Sequence, residues 1–110
     1  MDVLEALNDV LEGAGFAVML ATSGEEAITK AYGAVLDVLV TDFDLGAGMN
    51  GIQLAAEVRR RWPGLPIVYI SGWQWLMVGH VLDDREVFLS KPFRQHELLG
   101  GVRAVSTEVN

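Results

Sequence analysis

Apolar positions along the chain repeat with two alternating periods. In residues 2–14, Val3, Leu7, Val10, Leu11 and Ala14 fall on one side while Asp2, Glu5, Asp9 and Glu12 fall on the other. This spacing predicts an amphipathic helix that Gly13 and Gly15 bring to a stop. Phe16 to Ala21 reads as a short strand. Ser23-Gly24-Glu25-Glu26 is a capping box, with Ser23 as N-cap and Glu26 three residues on. It opens a helix through about Tyr32 whose buried stripe is Ala27, Ile28, Ala31 and Tyr32. From Leu36 the chain turns apolar through Val38-Leu39-Val40 and ends in Asp42, with Asp44 two residues later. Such a β-branched run predicts a strand buried on both faces.

After the glycine-bearing loop Gly46-Ala47-Gly48-Met49, Asn50 caps a third helix with Gln53 at the reciprocal position. Ile52, Ala55, Val58 and Trp62 form its apolar face, and Pro63-Gly64 ends it. Pro66 to Ile70 is the next strand and delivers Ser71-Gly72. Residues 73–82 fit either a poor helix carrying Trp73, Met77 and His80 or a packed loop. Glu86 to Ser90 is the last strand and delivers Lys91-Pro92. A closing helix runs from about Arg94 to Val105 with Leu98, Leu99, Val102 and Val105 inward. Gly100 and Gly101 should weaken it by roughly 1 kcal/mol each. Strands and helices that alternate in this way predict a doubly wound parallel α/β sheet with helices on both faces.

Composition narrows the function classes. At 110 residues the chain is one domain, and its 51% hydrophobic content predicts a well-buried core. No stretch reaches the ~18 apolar residues needed to span a bilayer, and no signal-peptide pattern opens the chain. There is no cysteine, so disulfides and thiolate metal sites are excluded and a cytoplasmic location is expected. Fifteen acidic against eight basic residues give a net charge of −7, which argues against binding nucleic acid or an anionic membrane. The one basic run, Arg59-Arg60-Arg61, reads as a solvated helix end whose cations complement the dipole.

Three successive strands thus end in Asp42, Ser71 and Lys91. In a parallel sheet these ends share one edge, the edge at which open α/β sheets carry out chemistry. A carboxylate, a hydroxyl and an ammonium there suit phosphoryl transfer. The carboxylate is the nucleophile, and the other two stabilise the charged oxygens. Taken singly, each is equally an ordinary exposed aspartate, strand-end serine or surface lysine; their convergence carries the functional reading.

These stretches, Val38 to Leu45, Met49-Asn50-Gly51-Ile52-Gln53-Leu54, Ile70-Ser71-Gly72 and Phe88-Leu89-Ser90-Lys91-Pro92-Phe93, resemble the receiver domain of two-component response regulators. The resemblance covers nearly the whole chain and implies a flavodoxin-like (CheY-like) fold. It implies that Asp42 accepts a phosphoryl group from a histidine kinase or phosphotransfer protein, with Ser71 as switch hydroxyl and Lys91 contacting the phosphoryl group. It further implies Phe88 at the switch-aromatic position, a cis Lys91-Pro92 bond, a Mg²⁺ ligand in the backbone carbonyl of Asp44 and a downstream protein partner. The family is a signalling family and not an enzyme family.

The sequence departs from the family at its start. Receivers begin with an apolar strand ending in an acidic pair that helps hold Mg²⁺, whereas Met1 already stands at the first helix. Residues 1–110 are therefore expected to form an N-terminally truncated receiver with the first strand missing and four strands per chain. Asp2 is a poor substitute ligand, and Asp42 with the Asp44 carbonyl leaves the Mg²⁺ site weak or lost, so phosphorylation should be weak. The missing strand lies between residues 16–21 and the central strand in the family. Three arrangements follow: residues 16–21 close up beside the central strand, a second copy completes the sheet as a homodimer, or the segment lies on a longer chain. The homodimer is the favoured one.

Two other function classes compete. Asp42-Phe43-Asp44 also resembles the nucleophile motif of haloacid-dehalogenase-type phosphatases, but the chain is short for that fold and Asp83 and Asp84 precede Lys91. Alternatively, the fold serves as a phosphorylation-independent interaction module, for which Trp73, Trp75 and Met77 offer contacts. His80 and His96 are isolated and lack metal-ligand spacing. With no output domain after residue 105, signalling is expected to leave by protein contact.

Overall fold

The computed structural model describes residues 3–43, 45, 48–72 and 82–106. Helix α1, Val3–Gly13, opens the chain. It is closed by Gly15, whose φ of 95° lets the Phe16 N–H reach back to the Leu11 carbonyl at 3.0 Å. That is a six-to-one helix stop, and Phe16 and Leu11 pack into the same core as it requires. Helix α2 spans Gly24–Ala31 and α3 spans Gly51–Arg61. Strands β1 (Leu39–Asp42), β2 (Ile67–Ser71) and β3 (Glu86–Ser90) form one parallel sheet in that order. Helix α4, Gln95–Ser106, completes the described chain.

The sheet divides two cores by the period-two alternation of its strands. Val68 and Ile70 of β2 face a cluster with Leu7 and Leu11 of α1 and Leu98, Val102 and Val105 of α4. Ile67 and Tyr69 face the other way, against Leu54, Ala55 and Val58 of α3. Helices therefore cover both faces, the doubly wound α/β arrangement expected from the sequence. β2 is buried along its whole length and is the strand flanked on both sides. Each fully buried Leu, Ile or Val contributes roughly 1.5–3 kcal/mol, so this strand and the inward stripe of α4 anchor the fold.

Several expectations are corrected. Residues 16–21 do not join the sheet, which has three strands among the described residues rather than four. Phe16, Val18 and Leu20 are more buried than Ala17 and Met19, so the segment has strand-like alternation. A ladder, however, needs a neighbouring backbone about 4.8 Å away, and among the described residues β1 pairs only with β2. One carbonyl of the segment, that of Leu20, instead accepts a bond from Lys30 Nζ at 2.6 Å. Closing up beside the central strand is therefore not what these residues do. β1 itself begins at Leu39, not Leu36, and is only partly buried apart from Thr41.

At α2, Ser23 accepts the Glu26 N–H at 3.0 Å as expected. The Glu26 carboxylate reaches past it to the N–H and hydroxyl of Thr22. The backbone bond from Thr22 is the main cause that holds the Glu26 carboxyl below the usual carboxylate range. Tyr32 is not part of the buried stripe but 45% exposed, because α2 ends at Ala31 before the periodicity does. The Asn50–Gln53 capping box of α3 is complete, with reciprocal bonds of 2.9 and 2.8 Å. The basic run is not simply solvated: Arg59 bonds Asp83 at 2.7 Å, Arg60 bonds Glu57 at 3.3 Å, and Arg61 lies over the rings of Tyr32 and Trp62.

The two glycines of α4 separate by role. A Cβ at Gly101 would lie 3.4 Å from Val87, so this helix approaches β3 closely there. A Cβ at Gly100 would meet nothing within 4 Å. Gly100→Ala is accordingly expected to raise the unfolding free energy by about 0.5–1 kcal/mol in urea denaturation. A loss of stability would show that α4 needs flexibility at that turn.

Candidate functional site

The three strands end at one edge of the sheet, as parallel pairing requires. Asp42 is the last residue of β1, in register with Ile70. Ser71, the last of β2, is in register with Ser90, the last of β3, and Lys91 follows. The edge is fixed by backbone bonds: Phe43 N–H to the Ile70 carbonyl at 2.9 Å, and Lys91 N–H to the Ser71 carbonyl at 2.9 Å. The Thr41 hydroxyl, itself buried, donates to the Asp42 carbonyl at 2.9 Å.

β1 and β3 lie on either side of β2, so their backbones stand about two strand spacings, ~9.6 Å, apart. A lysine is long enough to cross that distance, and Lys91 Nζ forms an ion pair with Oδ2 of Asp42 over the end of β2. Both side chains remain partly open to solvent. An ion pair this open to solvent contributes on the order of 1 kcal/mol to stability. An ammonium beside a nucleophilic carboxylate can offset the charge of an incoming anion and then hold the oxygens of the group transferred.

Ser71 is 1% exposed and alternates to the α3 face of β2, two residues beyond Tyr69. Phe88 lies on that same face of β3, directly opposite Tyr69 and one pleat below Ser90, and packs partly buried against the α3 core. The Lys91-Pro92 peptide is cis. Asp44, Trp73, Trp75, Met77 and His80 lie outside the described residues. His96 is exposed at the start of α4.

Sequence reasoning gave Gly51 no role, yet it bounds the site. Its N–H donates to the Phe43 carbonyl at 2.8 Å, and a Cβ there would collide with the carbonyl oxygen of Asp42. A glycine directly after a helix cap at the foot of a candidate nucleophile is the signal that identifies it. A second unforeseen feature lies at the opposite edge of the sheet. The Tyr69 hydroxyl donates to Glu86 at 2.8 Å, and Arg59 joins Glu86 to Asp83.

Asp42 is the carboxylate that the described residues bring to this edge of the sheet. Mg²⁺ takes near-octahedral oxygen ligands, usually with carboxylates among them. Among the described residues no group of three or more His, Asp or Glu side chains is placed to hold a metal ion. Asp42 offers one carboxylate, and Lys91 already engages one of its oxygens.

Comparison with known proteins agrees with this geometry. The family model described as "Response regulator receiver domain" matches residues 1–103. The DNA-binding response regulator MtrA of Mycobacterium leprae is 34% identical over 103 residues, which are 91% of this chain and 44% of MtrA. The chain spans about half the length of the curated relatives it matches. A crystal structure of a response regulator receiver protein from Sinorhizobium medicae superposes with a TM-score of 0.83 at 35% identity, over 96% of this chain and 86% of that one. The fold is shared also with the response regulator TrrA of Thermotoga maritima, described in complex with Mg²⁺-BeF, at a TM-score of 0.80 and 23% identity over 94% and 89% of the two chains. Among the described residues no helix is long and apolar enough to cross a membrane.

Proposed function

This chain belongs to the response regulator receiver domain family, and from that membership we propose that Asp42 is its phosphoacceptor, with Lys91 and Ser71 as the groups that receive the phosphoryl oxygens. The observation that carries this reading is the Lys91–Asp42 ion pair spanning β2 at the carboxyl edge of the sheet. In the proposed step an Oδ atom of Asp42 forms a bond to phosphorus as the donor's P–N bond to a histidine imidazole breaks, and the departing imidazole takes up a proton. Lys91 then pairs with a phosphoryl oxygen. Phe88, on the same face as Ser71, is the aromatic that would report the change to a protein partner. The chain signals in the cytoplasm and turns over no substrate of its own.

The single carboxylate offered by the described residues supports a finer reading, that Mg²⁺ binding is weak or lost and phosphorylation correspondingly slow. Incubation of the intact protein with acetyl phosphate, with and without Mg²⁺, followed by intact-mass spectrometry, tests both. A single phosphoryl adduct that is absent from Asp42→Asn is expected, at low yield and with shallow Mg²⁺ dependence. Rapid stoichiometric phosphorylation that requires Mg²⁺ would overturn the finer reading. A folded chain that forms no adduct at saturating donor would replace phosphoacceptance with a phosphorylation-independent interaction module.

A further inference from the structure

At the edge of the sheet opposite Asp42, the ends of α2 and α3 meet in a cluster that phosphoryl chemistry does not use. α3 begins beside Asp42 and its eleven residues carry Arg61 to about 16 Å away. There the guanidinium carbon of Arg61 lies 5.1 Å from the Tyr32 ring centroid and 5.4 Å from that of Trp62, with the two rings 6.4 Å apart. Trp62 is seated against the α3 core, whereas Tyr32 is 45% exposed and Val35, three residues on, is 88% exposed. Among the described residues no carboxylate pairs with Arg61.

As a staple between two helices this stack is weak, since an exposed cation–π contact contributes only about 0.5–1 kcal/mol. What it does is hold a planar cation in place. A guanidinium resting on ring faces keeps its five in-plane N–H donors for a carboxylate, which it can grip with two bonds. Arginine with tyrosine and tryptophan is also the composition of the anchors that dominate protein interfaces. Charge selects the occupant. Of the three arginines in this last turn of α3, Arg59 and Arg60 already pair with Asp83 and Glu57, so Arg61 is the cation here that meets an acidic group from outside. A phosphate polymer needs a row of cations to neutralise successive phosphates, and here Arg59 and Arg60 are already engaged by Asp83 and Glu57. We propose that the Tyr32–Arg61–Trp62 cluster, with the exposed Val35 three residues on from Tyr32, docks an acidic aliphatic segment of a partner protein, whose carboxylate pairs with Arg61 while its alkyl groups cover Tyr32 and Val35. The surface lies at the far end of α3 from Asp42 and does not depend on phosphorylation.

The probe is an N-acetylated, amidated hexapeptide of alternating leucine and glutamate, titrated into the ¹⁵N-labelled full chain and followed by NMR. Shifts should concentrate at Tyr32, Val35, Arg61 and the Trp62 indole. Binding should weaken about tenfold with the glutamine counterpart of the peptide and about tenfold in Arg61→Gln, the loss expected on removing an arginine anchor. Arg61→Lys, which keeps the charge without the planar fork, should fall between, and Arg103→Gln on the solvent-facing side of α4 should bind normally. Dispersed spectra of the variants establish folding. The proposal fails if Arg61→Gln binds as the parent does, or if Arg103→Gln is weakened equally. It also fails if shifts avoid the cluster, or if single-stranded RNA or anionic vesicles bind it more tightly than the peptide.

Discussion

Gly51→Ala is expected to lower the unfolding free energy by about 2–4 kcal/mol and to suppress phosphorylation of Asp42 together with it. The methyl group would collide with the Asp42 carbonyl oxygen and stand 3.0 Å from the Phe43 Cα and 3.1 Å from the Asp42 carbonyl carbon. All three are backbone atoms, so no rotamer change relieves the contact. Either α3 withdraws, breaking the 2.8 Å bond from Gly51 N–H to the Phe43 carbonyl, or the end of β1 moves and carries the carboxylate out of line with Lys91. Overpacking of this kind costs roughly 1–3 kcal/mol and a lost backbone bond about 1 more. Gly24 makes the useful contrast. There the added group meets the flexible side chain of Met49, which can turn aside, so Gly24→Ala should cost less. Urea denaturation of both variants, with the acetyl phosphate assay on Gly51→Ala, separates packing from positioning. A loss under 1 kcal/mol with unchanged adduct yield would mean that the β1–α3 junction yields without disturbing Asp42.

The sequence was most informative where local rules decide the outcome. Glu86 to Ser90 is a strand with the bounds its composition predicts, α4 turns Leu98, Val102 and Val105 inward, and Asn50 with Gln53 closes a capping box. Asp42 and Lys91 were legible as a pair because parallel topology brings successive strand ends to one edge whatever the details of packing. Expectations failed where a non-local partner decides. Residues 16–21 alternate as a strand does, but alternation says nothing about whether a neighbour stands within hydrogen-bonding distance. Tyr32 continues the apolar period of α2 beyond the point where the helix ends. Arg59, read as part of a solvated run, turns inward because Asp83 and Glu86, about 25 residues away, supply its acceptors. Period and charge in one segment do not report a partner that distant.

That arginine carries the second large effect: Arg59→Met is expected to cost about 2–4 kcal/mol. Its guanidinium bonds Asp83 at 2.7 Å and the Leu65 carbonyl at 2.9 Å, and lies 3.6 Å from Glu86, whose side chain is 5% exposed. Removing the cation leaves that carboxylate buried, with the Tyr69 hydroxyl at 2.8 Å and the Asp83 N–H at 3.0 Å among its remaining donors. Breaking a buried pair costs roughly 3–5 kcal/mol, and these surviving donors place Arg59→Met toward the lower part of that range. Glu86→Gln removes the charge that needed Arg59, so the double variant should lose less than the sum of the singles. Additive losses would show that Arg59 acts through Asp83 and backbone carbonyls such as that of Leu65. Tyr69 adds a pH signature. Burial first, then the bond to Glu86 and its charge, push the Tyr69 phenol above its ordinary value. Above about pH 10 the native phenol keeps a proton that the unfolded chain has released. The native state then binds more protons, and stability falls as pH rises, by up to about 1.4 kcal/mol per pH unit. Tyr69→Phe should lose about 1 kcal/mol at neutral pH and lack that alkaline decline. An unchanged slope in Tyr69→Phe would assign the decline to other groups and leave the Tyr69–Glu86 bond without a part in it.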